Sequence, residues 1–307
     1  MSDENNNNEV DTSCCAACGV TQIDDIKLVP CDGCDLVKYC GDECQRDHKS
    51  EHKEECNKRA AELRDELLFK QPESTHLGDC PICSLPMPHD PAKSELMICC
   101  GQMICFGCYC ANMKREAEMR LQHSCPFCRK LKPETVEGLM KQMMKRVKAN
   151  DPAAISQQGF EKYHKEDYIA AFEYYKKAAA LGDAEAHYHL ANMYRDGEGV
   201  EKNEEKYVHH LKEAAIAGHP DARYNLGCEE WRVGNKERAL KHFIIAATQG
   251  CDDSLKALMK AFKHGFVAKD VLATALRSHK AAVDAMKSPN RVEADKIFSD
   301  CAKSNGW

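Results

Sequence analysis

Long apolar runs are missing from this 307-residue chain, whose mean hydropathy is −0.59. No stretch approaches the roughly 18 apolar residues typical of a membrane-spanning helix. The N-terminal MSDENNNNEV is polar and acidic, and so lacks the basic and apolar segments of a signal peptide and the Arg-rich character of a transit peptide. These absences predict a protein of the cytoplasm or nucleus with no membrane partner.

An excess of positive charge is also missing, because the formal net charge is −6 at pH 7. Affinity for nucleic-acid backbones rests largely on clustered Lys and Arg side chains. The charge balance therefore disfavours a general nucleic-acid binder, and we expect the partners to be proteins.

Cysteine is scarce in the second half of the chain, where only Cys228, Cys251 and Cys301 follow residue 130. The other seventeen of the twenty cysteines precede it in closely spaced groups. In a reducing compartment such groups bind metal more often than they form disulfides. A hydrophobic content of 43% also allows packed cores in two or three domains.

The cysteine groups divide the N-terminal half into segments. Residues 1–13 form an Asn-rich tail that we expect to be disordered. Cysteine-rich modules are predicted at 14–56 and 80–129, separated by a linker over 57–79. Apolar residues at helical spacing predict a linker helix from Asn57 to Lys70, ended by Pro72.

A basic amphipathic helix is predicted at 130–149, where Val, Leu and Met recur every three or four residues with Lys and Arg between them. A calmodulin-type target or a membrane-surface element would share this pattern. A packed connecting helix is the favoured interpretation.

From about residue 150 the chain repeats itself. Three glycines recur 36 and 32 residues apart, and three alanines recur 36 and 35 residues apart; they are Gly182, Gly218 and Gly250, and Ala186, Ala222 and Ala257. Each unit predicts two helices, with the glycine ending a helix in a left-handed conformation. Alanine pairs are expected at the close helix contacts: Ala179 and Ala180, Ala214 and Ala215, and Ala246 and Ala247. The predicted fold is mainly α, with two small zinc-stabilised fingers followed by an α-solenoid of helix–turn–helix repeats and a C-terminal cap over 150–307.

One repeat unit carries a family resemblance. Residues 194–222 resemble the Sel-one-like repeat, a relative of the tetratricopeptide repeat, in the loop containing Gly197, Gly199 and Val200 and in the AAxxGHxxA junction. The resemblance implies a concave protein-binding face. The ring side chains of Tyr188, His189 and Trp231 are interpreted as packing between helices.

The first cysteine group supplies eight candidate zinc donors, enough for two tetrahedral sites. They are Cys15, Cys18, Cys31, Cys34, Cys40, Cys44, His52 and Cys56. A two-residue gap between cysteines lets a tight turn direct both thiolates at one ion. His48 is an alternative to His52, and Cys14 is either a spare thiol or shifts the register by one residue.

The motifs YC-x(3)-CQ (Tyr39 to Gln45) and HK-x(2)-C (His52 to Cys56) resemble those of a MYND finger. The resemblance implies interleaved ligation, with Cys15, Cys18, Cys40 and Cys44 in one site and Cys31, Cys34, His52 and Cys56 in the other. It also implies binding of short peptides. Lys49 stands where relatives commonly have Trp, which leaves the choice of peptide open.

The second group, with CPIC, CCGQMICFGC and CPFCR, resembles a RING finger. The resemblance implies one site from Cys80, Cys83, Cys105 and Cys108, and a second that includes Cys125 and Cys128. Gln102 occupies the usual histidine position and is a poor ligand. Cys99 together with Cys100 is the favoured replacement, and His123 is the alternative. Cys110 is interpreted as a buried small hydrophobe.

The RING resemblance also implies docking of a ubiquitin-conjugating enzyme on Ile82, Pro126 and Arg129. The primary hypothesis is a RING-type ubiquitin ligase that recruits clients through the MYND finger and the repeats, without a catalytic residue or covalent intermediate of its own. The alternatives are a non-enzymatic adaptor and a transcriptional co-regulator. All three expect about four structural zinc ions.

Overall fold

Helices dominate the computed structural model, which describes residues 14–20 and 27–304, with side chains to residue 297. The expected tail at 1–13 lies outside the described residues. The chain divides into two compact units, Met1–Lys70 and Gln71–Trp307. The expected fold class, mainly α with zinc-finger modules before a solenoid, is confirmed.

The first unit consists of a small sheet and one long helix. Strand β1 (Val29–Pro30) pairs antiparallel with β2 (Lys38–Tyr39), and α1 runs from Asp42 to Phe69. The helix therefore begins well before the predicted Asn57. Acidic Asp42 and Glu43 occupy its first turn, where they favour helix initiation. The stretch from Asp42 to Cys56, which is rich in histidine and cysteine, is thus helical although its apolar residues show no helical periodicity.

The second unit begins with a cysteine-rich module. Strands β3 (Ser94–Met97) and β4 (Gln102–Cys105) form an antiparallel hairpin, and α2 (Phe106–Glu118) follows directly. Helix α3 (Val136–Lys148) begins at Thr135, whose hydroxyl accepts the N–H of Gly138. Its Met143 and Val147 are buried in the core of the first repeats, which makes α3 a packed connecting helix.

Eight helices form the repeat region. They are α4 (Pro152–His164), α5 (Tyr168–Ala180), α6 (Ala184–Asp196), α7 (Glu204–Ile216), α8 (Pro220–Arg232), α9 (Lys236–Thr248), α10 (Asp252–Lys263) and α11 (Lys269–Ala285). Gly182, Gly218 and Gly250 have φ of +86°, +90° and +96°, so each repeat boundary uses the left-handed conformation that glycine adopts without strain.

Two details of the repeat register differ from the prediction. The buried alanines at the end of α5 are Ala178 and Ala179, while Ala180 is exposed. In α10 the fully buried residue four positions after the glycine is Ser254, and Ala257 is only half-buried. The buried position of each repeat thus lies four residues after its glycine. Ala257 lies about one helical turn beyond that position, so it is not the equivalent of Ala186 and Ala222.

The last helix, α12 (Pro289–Ser304), packs against α2 of the cysteine-rich module. Its Arg291 and Ala294 are buried. The expected C-terminal cap on the repeats therefore does not describe α12, which instead returns to the beginning of the second unit.

Candidate metal centres and interaction surfaces

The first predicted group of thiols converges between a loop, β2 and the start of α1. Ligand atoms of Cys15, Cys18, Cys40 and Cys44 all lie within 4.8 Å of one another. The sulfurs of Cys18 and Cys40 are 3.6 Å apart, and those of Cys40 and Cys44 are 3.5 Å apart. Tetrahedral zinc with about 2.3 Å Zn–S bonds requires sulfur separations of roughly 3.8 Å. The donor set fits zinc.

The second group joins a loop to the middle of α1. Cys31, Cys34, His52 and Cys56 converge, with His52 Nε2 at 3.1 Å from the sulfur of Cys34. Of the two candidate histidines, His52 is the one in this group, because His48 Nδ1 lies instead 3.1 Å from the hydroxyl of Tyr39. A Cβ on Gly33 would lie 2.8 Å from the sulfur of Cys56, so glycine lets the loop approach the helix.

The third group lies in the second unit. Cys80, Cys83, Cys105 and Cys108 converge, and backbone N–H groups donate to two of the sulfurs. Burial alone would raise the pKa of Cys80, but hydrogen bonds from the N–H groups of Cys105, Cys83 and Ile82 outweigh it and lower the pKa to about 7. Such donors stabilise the thiolate that zinc requires.

The fourth group contains the two adjacent cysteines. Cys99 lies 3.4 Å from Cys128 and Cys100 lies 3.8 Å from Cys125, measured between sulfurs, and all four converge. The reason is a tight turn after β3, in which Gly101 has a φ of +73° and donates its N–H to the carbonyl of Met97. This turn presents both thiols on one side.

The alternative donors to the fourth group lie elsewhere. Gln102 is exposed on β4, opposite Met97. His123 faces Glu116, with 3.4 Å between Nδ1 and the carboxylate. Cys110 is half-buried on α2 and, like Cys14, belongs to none of the four groups among the described residues.

Glu116 is a supporting residue that the sequence did not reveal. It is 1% exposed on α2 and accepts hydrogen bonds from the backbone N–H and the hydroxyl of Ser124, at 3.2 and 2.6 Å. Burial would raise the pKa of this carboxyl, but the Ser124 and Asn112 hydrogen bonds lower it. Glu116 thereby fixes the loop that leads into Cys125. A glutamate in a polar helix resembles a surface residue, so the sequence gives no signal.

A fifth polar cluster joins the segment before Cys80 to the repeats. Glu185 Oε2 lies 3.1 Å from His76 Nε2 and 3.3 Å from His219 Nε2, and Glu185 Oε1 lies 3.3 Å from His189 Nε2. The rings of His76 and His219 stack with centroids 4.3 Å apart and planes 1° from parallel. The ligand atoms of His76, Glu185 and His219 all lie within 4.8 Å of one another, so this polar junction has a donor set that could also hold a metal ion.

The three predicted docking residues lie on the turns of the third and fourth groups. Ile82 is 40% exposed, Pro126 is half-buried and Arg129 is exposed with a φ of +60°. Phe127, for which the sequence pattern gives no signal, is 46% exposed beside Pro126. Exposed apolar side chains at these turns are available to a partner.

A cavity of about 520 Å³ opens between α8, α9 and α10. Its apolar lining comes from Tyr224, Trp231 and Phe243, with Cys228 beside them. Asp253, Lys256 and Lys260 of α10 also line the cavity, as does His264 directly after that helix. Trp231 also packs edge-on against Phe266, so it both supports the repeat and lines the cavity.

Parts of both units match known protein families. Residues 15–56 match the family model of the MYND finger, and residues 154–183, 184–219 and 220–251 match that of the Sel1 repeat. The chain contains a MYND finger and Sel1 repeats. The family models do not show a separate RING finger; residues 80–129 are named the RING-like module only because their cysteine motifs resemble one.

The solved structures similar to this chain include two helical repeat proteins. One is a Sel1 repeat protein from Oxalobacter formigenes, at 22% identity over 58% of this chain and 72% of that chain, with a TM-score of 0.43. The other is c5321, a protective antigen of uropathogenic Escherichia coli with an SLR fold, at 20% identity over 53% and 36% of the two chains and a TM-score of 0.38. A search of the curated proteins found no match.

The MYND finger and the thiol groups fit structural zinc binding, and the finger and repeats make this a zinc-binding protein-interaction protein. No helix among the described residues is long and apolar enough to cross a membrane.

Proposed function

We propose that this protein is a zinc-stabilised adaptor that binds a peptide in the cavity between α8, α9 and α10. The observation that supports this proposal is the cavity itself, whose lining combines aromatic side chains with lysines. Lys256 forms an ion pair with Asp253, whereas Lys260 has no ion-pair partner among the described residues. The chemistry fits a peptide with a large apolar side chain next to an acidic one.

Peptide binding can be tested by fluorescence polarisation with a labelled library of acidic and neutral peptides. We expect Lys260→Glu to lower the affinity for the selected acidic peptides about tenfold, because the substitution reverses the charge at the binding site. Lys263→Glu, on the same helix outside the cavity, is the matched control. Cys228→Trp should fill the cavity and abolish binding. Unchanged affinity in both cavity variants would refute this site.

The same proposal assigns the sixteen donors of the four groups as zinc ligands. Its support is the convergence of each set within 4.8 Å. The MYND finger supplies a second peptide-binding surface near the exposed Lys49. The RING-like module lies between the MYND finger and the repeats in the sequence.

A ubiquitin ligase is the second candidate function, favoured by the exposed Ile82 and Arg129 on the RING-like module. The module would position a conjugating enzyme without supplying a nucleophile. The test is autoubiquitination with a panel of conjugating enzymes, comparing wild type with Ile82→Ala and Arg129→Ala. We expect chain formation that both variants reduce. No chain formation with any enzyme would eliminate this candidate and leave the adaptor, acting in the cytoplasm or as a transcriptional co-regulator in the nucleus.

A further inference from the structure

Arg291 on α12 reaches back to the RING-like module. Its Nη1 donates to the carbonyls of Pro86 and Met286, both at 2.7 Å. Its Nη2 donates to the carbonyl of Leu85 at 3.3 Å and to the sulfur of Cys83 at 3.5 Å. The side chain is 7% exposed. The guanidinium thus contacts the loop that follows Cys83. It also contacts the sulfur of Cys83, which belongs to the third thiol group.

The positive charge of Arg291 has no carboxylate partner among the described residues. The neighbouring acids on α12 are engaged elsewhere, since Glu293 pairs with Lys114 at 2.8 Å and Asp295 with Lys93 at 3.1 Å. Both of these pairs are exposed and contribute little to stability. A buried guanidinium destabilises the folded state unless opposite charge compensates it.

The third thiol group supplies that opposite charge. Four thiolates around one Zn²⁺ leave two net negative charges, and Cys83 is directly in contact with the guanidinium. Hydrogen bonds from outside the ligand set orient metal ligands and tune the site. Arg291 is placed to provide one, from a helix 208 residues further along the chain.

A glycine on α2, Gly107, allows the backbone of α12 to pack closely against α2. A Cβ on Gly107 would lie 2.8 Å from the backbone nitrogen of Arg291 and 2.9 Å from its Cα. Gly107 has a helical conformation without positive φ, so its lack of a side chain serves the close helix contact.

We propose that Arg291 is a positioning residue of the centre formed by Cys80, Cys83, Cys105 and Cys108, and that it couples metal occupancy to docking of α12. With zinc bound, the anionic centre holds the guanidinium and α12 covers the N-terminal end of α2. When zinc is removed, Cys83 and the loop through Leu85 and Pro86 are no longer held in the arrangement that Arg291 contacts, and α12 leaves the module. This surface of the module is then open.

The first test measures zinc release from the full-length, zinc-loaded protein with a colorimetric chelator. Arg291→Leu should accelerate release of about one zinc ion by about 10- to 100-fold, the usual cost of losing such an outer hydrogen bond. Arg291→Lys should recover part of the effect, because a lysine keeps the charge but not the forked geometry. Arg277→Leu, an exposed arginine on α11, is the control. Equal release rates for wild type and Arg291→Leu would overturn the proposal.

The second test measures hydrogen exchange of α12 in Cys108→Ser, which removes a zinc ligand without touching Arg291. Protection of α12 should fall at least tenfold, while the repeat helices α5 to α9 keep theirs as the folding control. Full protection of α12 in a protein lacking this zinc would show that packing alone holds the helix and would refute the coupling.

Discussion

The MYND finger and the RING-like module each bring eight candidate zinc donors into two groups, but they differ in the other contacts that stabilise them. In the described part of the first unit, the buried core consists of Cys15, Leu28, Cys34, Val37 and Tyr39, so two of its five members are themselves donors. The RING-like module has additional support from the repeats, where Leu96 and Ile98 pack against the core of α3 to α6, and from Arg291 on α12. The described core of the first module is thus built partly from candidate metal donors, whereas the second module is also held by contacts from outside it.

Metal removal gives the largest expected difference between the two modules. A strong chelator should unfold residues 15–56 completely, since structural zinc contributes roughly 10–16 kcal/mol to finger-sized domains. The RING-like module should lose its thiol turns but retain the β3 packing, and the repeats should remain helical. Hydrogen exchange before and after chelation measures all three regions in one sample. Equal loss of protection in the two modules would show that the additional contacts contribute nothing.

The ligands of the fourth group offer a sharper comparison. Cys99→Ser should reduce zinc content from about four ions per chain to about three, because an open thiolate position weakens a closed structural site. Gln102→Ala should leave about four, since Gln102 is exposed on β4. Inductively coupled plasma mass spectrometry on purified protein gives both numbers. A loss of zinc in Gln102→Ala but not in Cys99→Ser would reverse the assignment.

The smallest expected effect concerns pH and the repeats. Burial, together with His187, His209 and Lys206, lowers the pKa of His210 from 6.5 to about 4. As pH falls, the unfolded chain binds a proton before the folded chain does, so this contribution to stability is complete above 6.5 and is lost between 6.5 and 4.

Thermal unfolding of the repeats at pH 7 and pH 5 measures this loss, with a change of about 2–4 °C for each kcal/mol. His210→Gln should reduce the difference between the two pH values, while His264→Gln, at an exposed site, should not. An unchanged difference in His210→Gln would assign the acid sensitivity to other groups, such as His187 and His219, whose pKa values burial also lowers.

Local spacing was enough to predict much of this protein. The two-residue gaps between cysteines and the recurring glycines reflect short-range geometry, and both the helical repeats and the zinc-finger class followed from them. The sequence favours Cys99 over His123, but the physical reason for that choice is not visible in the spacing. It depends on the turn at Gly101, whose direction is set by the pairing of β3 with β4.

Features that join distant parts of the chain had no sequence signal. Glu116, His76 and Arg291 each look like ordinary surface residues on a polar segment, and their roles come from partners brought near by the fold. The start of α1 at Asp42 was missed for a related reason. The stretch containing His48 and His52 has no apolar period, so apolar periodicity alone could not locate this helix.

The Arg291 contact also has a consequence for synthesis. Residues 80–128 leave the ribosome long before Arg291 is translated, and domains begin to fold as they emerge. A metal ion bound at Cys80 and Cys83 during synthesis would therefore be held without the guanidinium that later contacts Cys83. Closing a loop of 208 residues between Cys83 and Arg291 completes the module only after the whole repeat array has been made. Truncation before α12 would leave the newly made protein permanently in this early state.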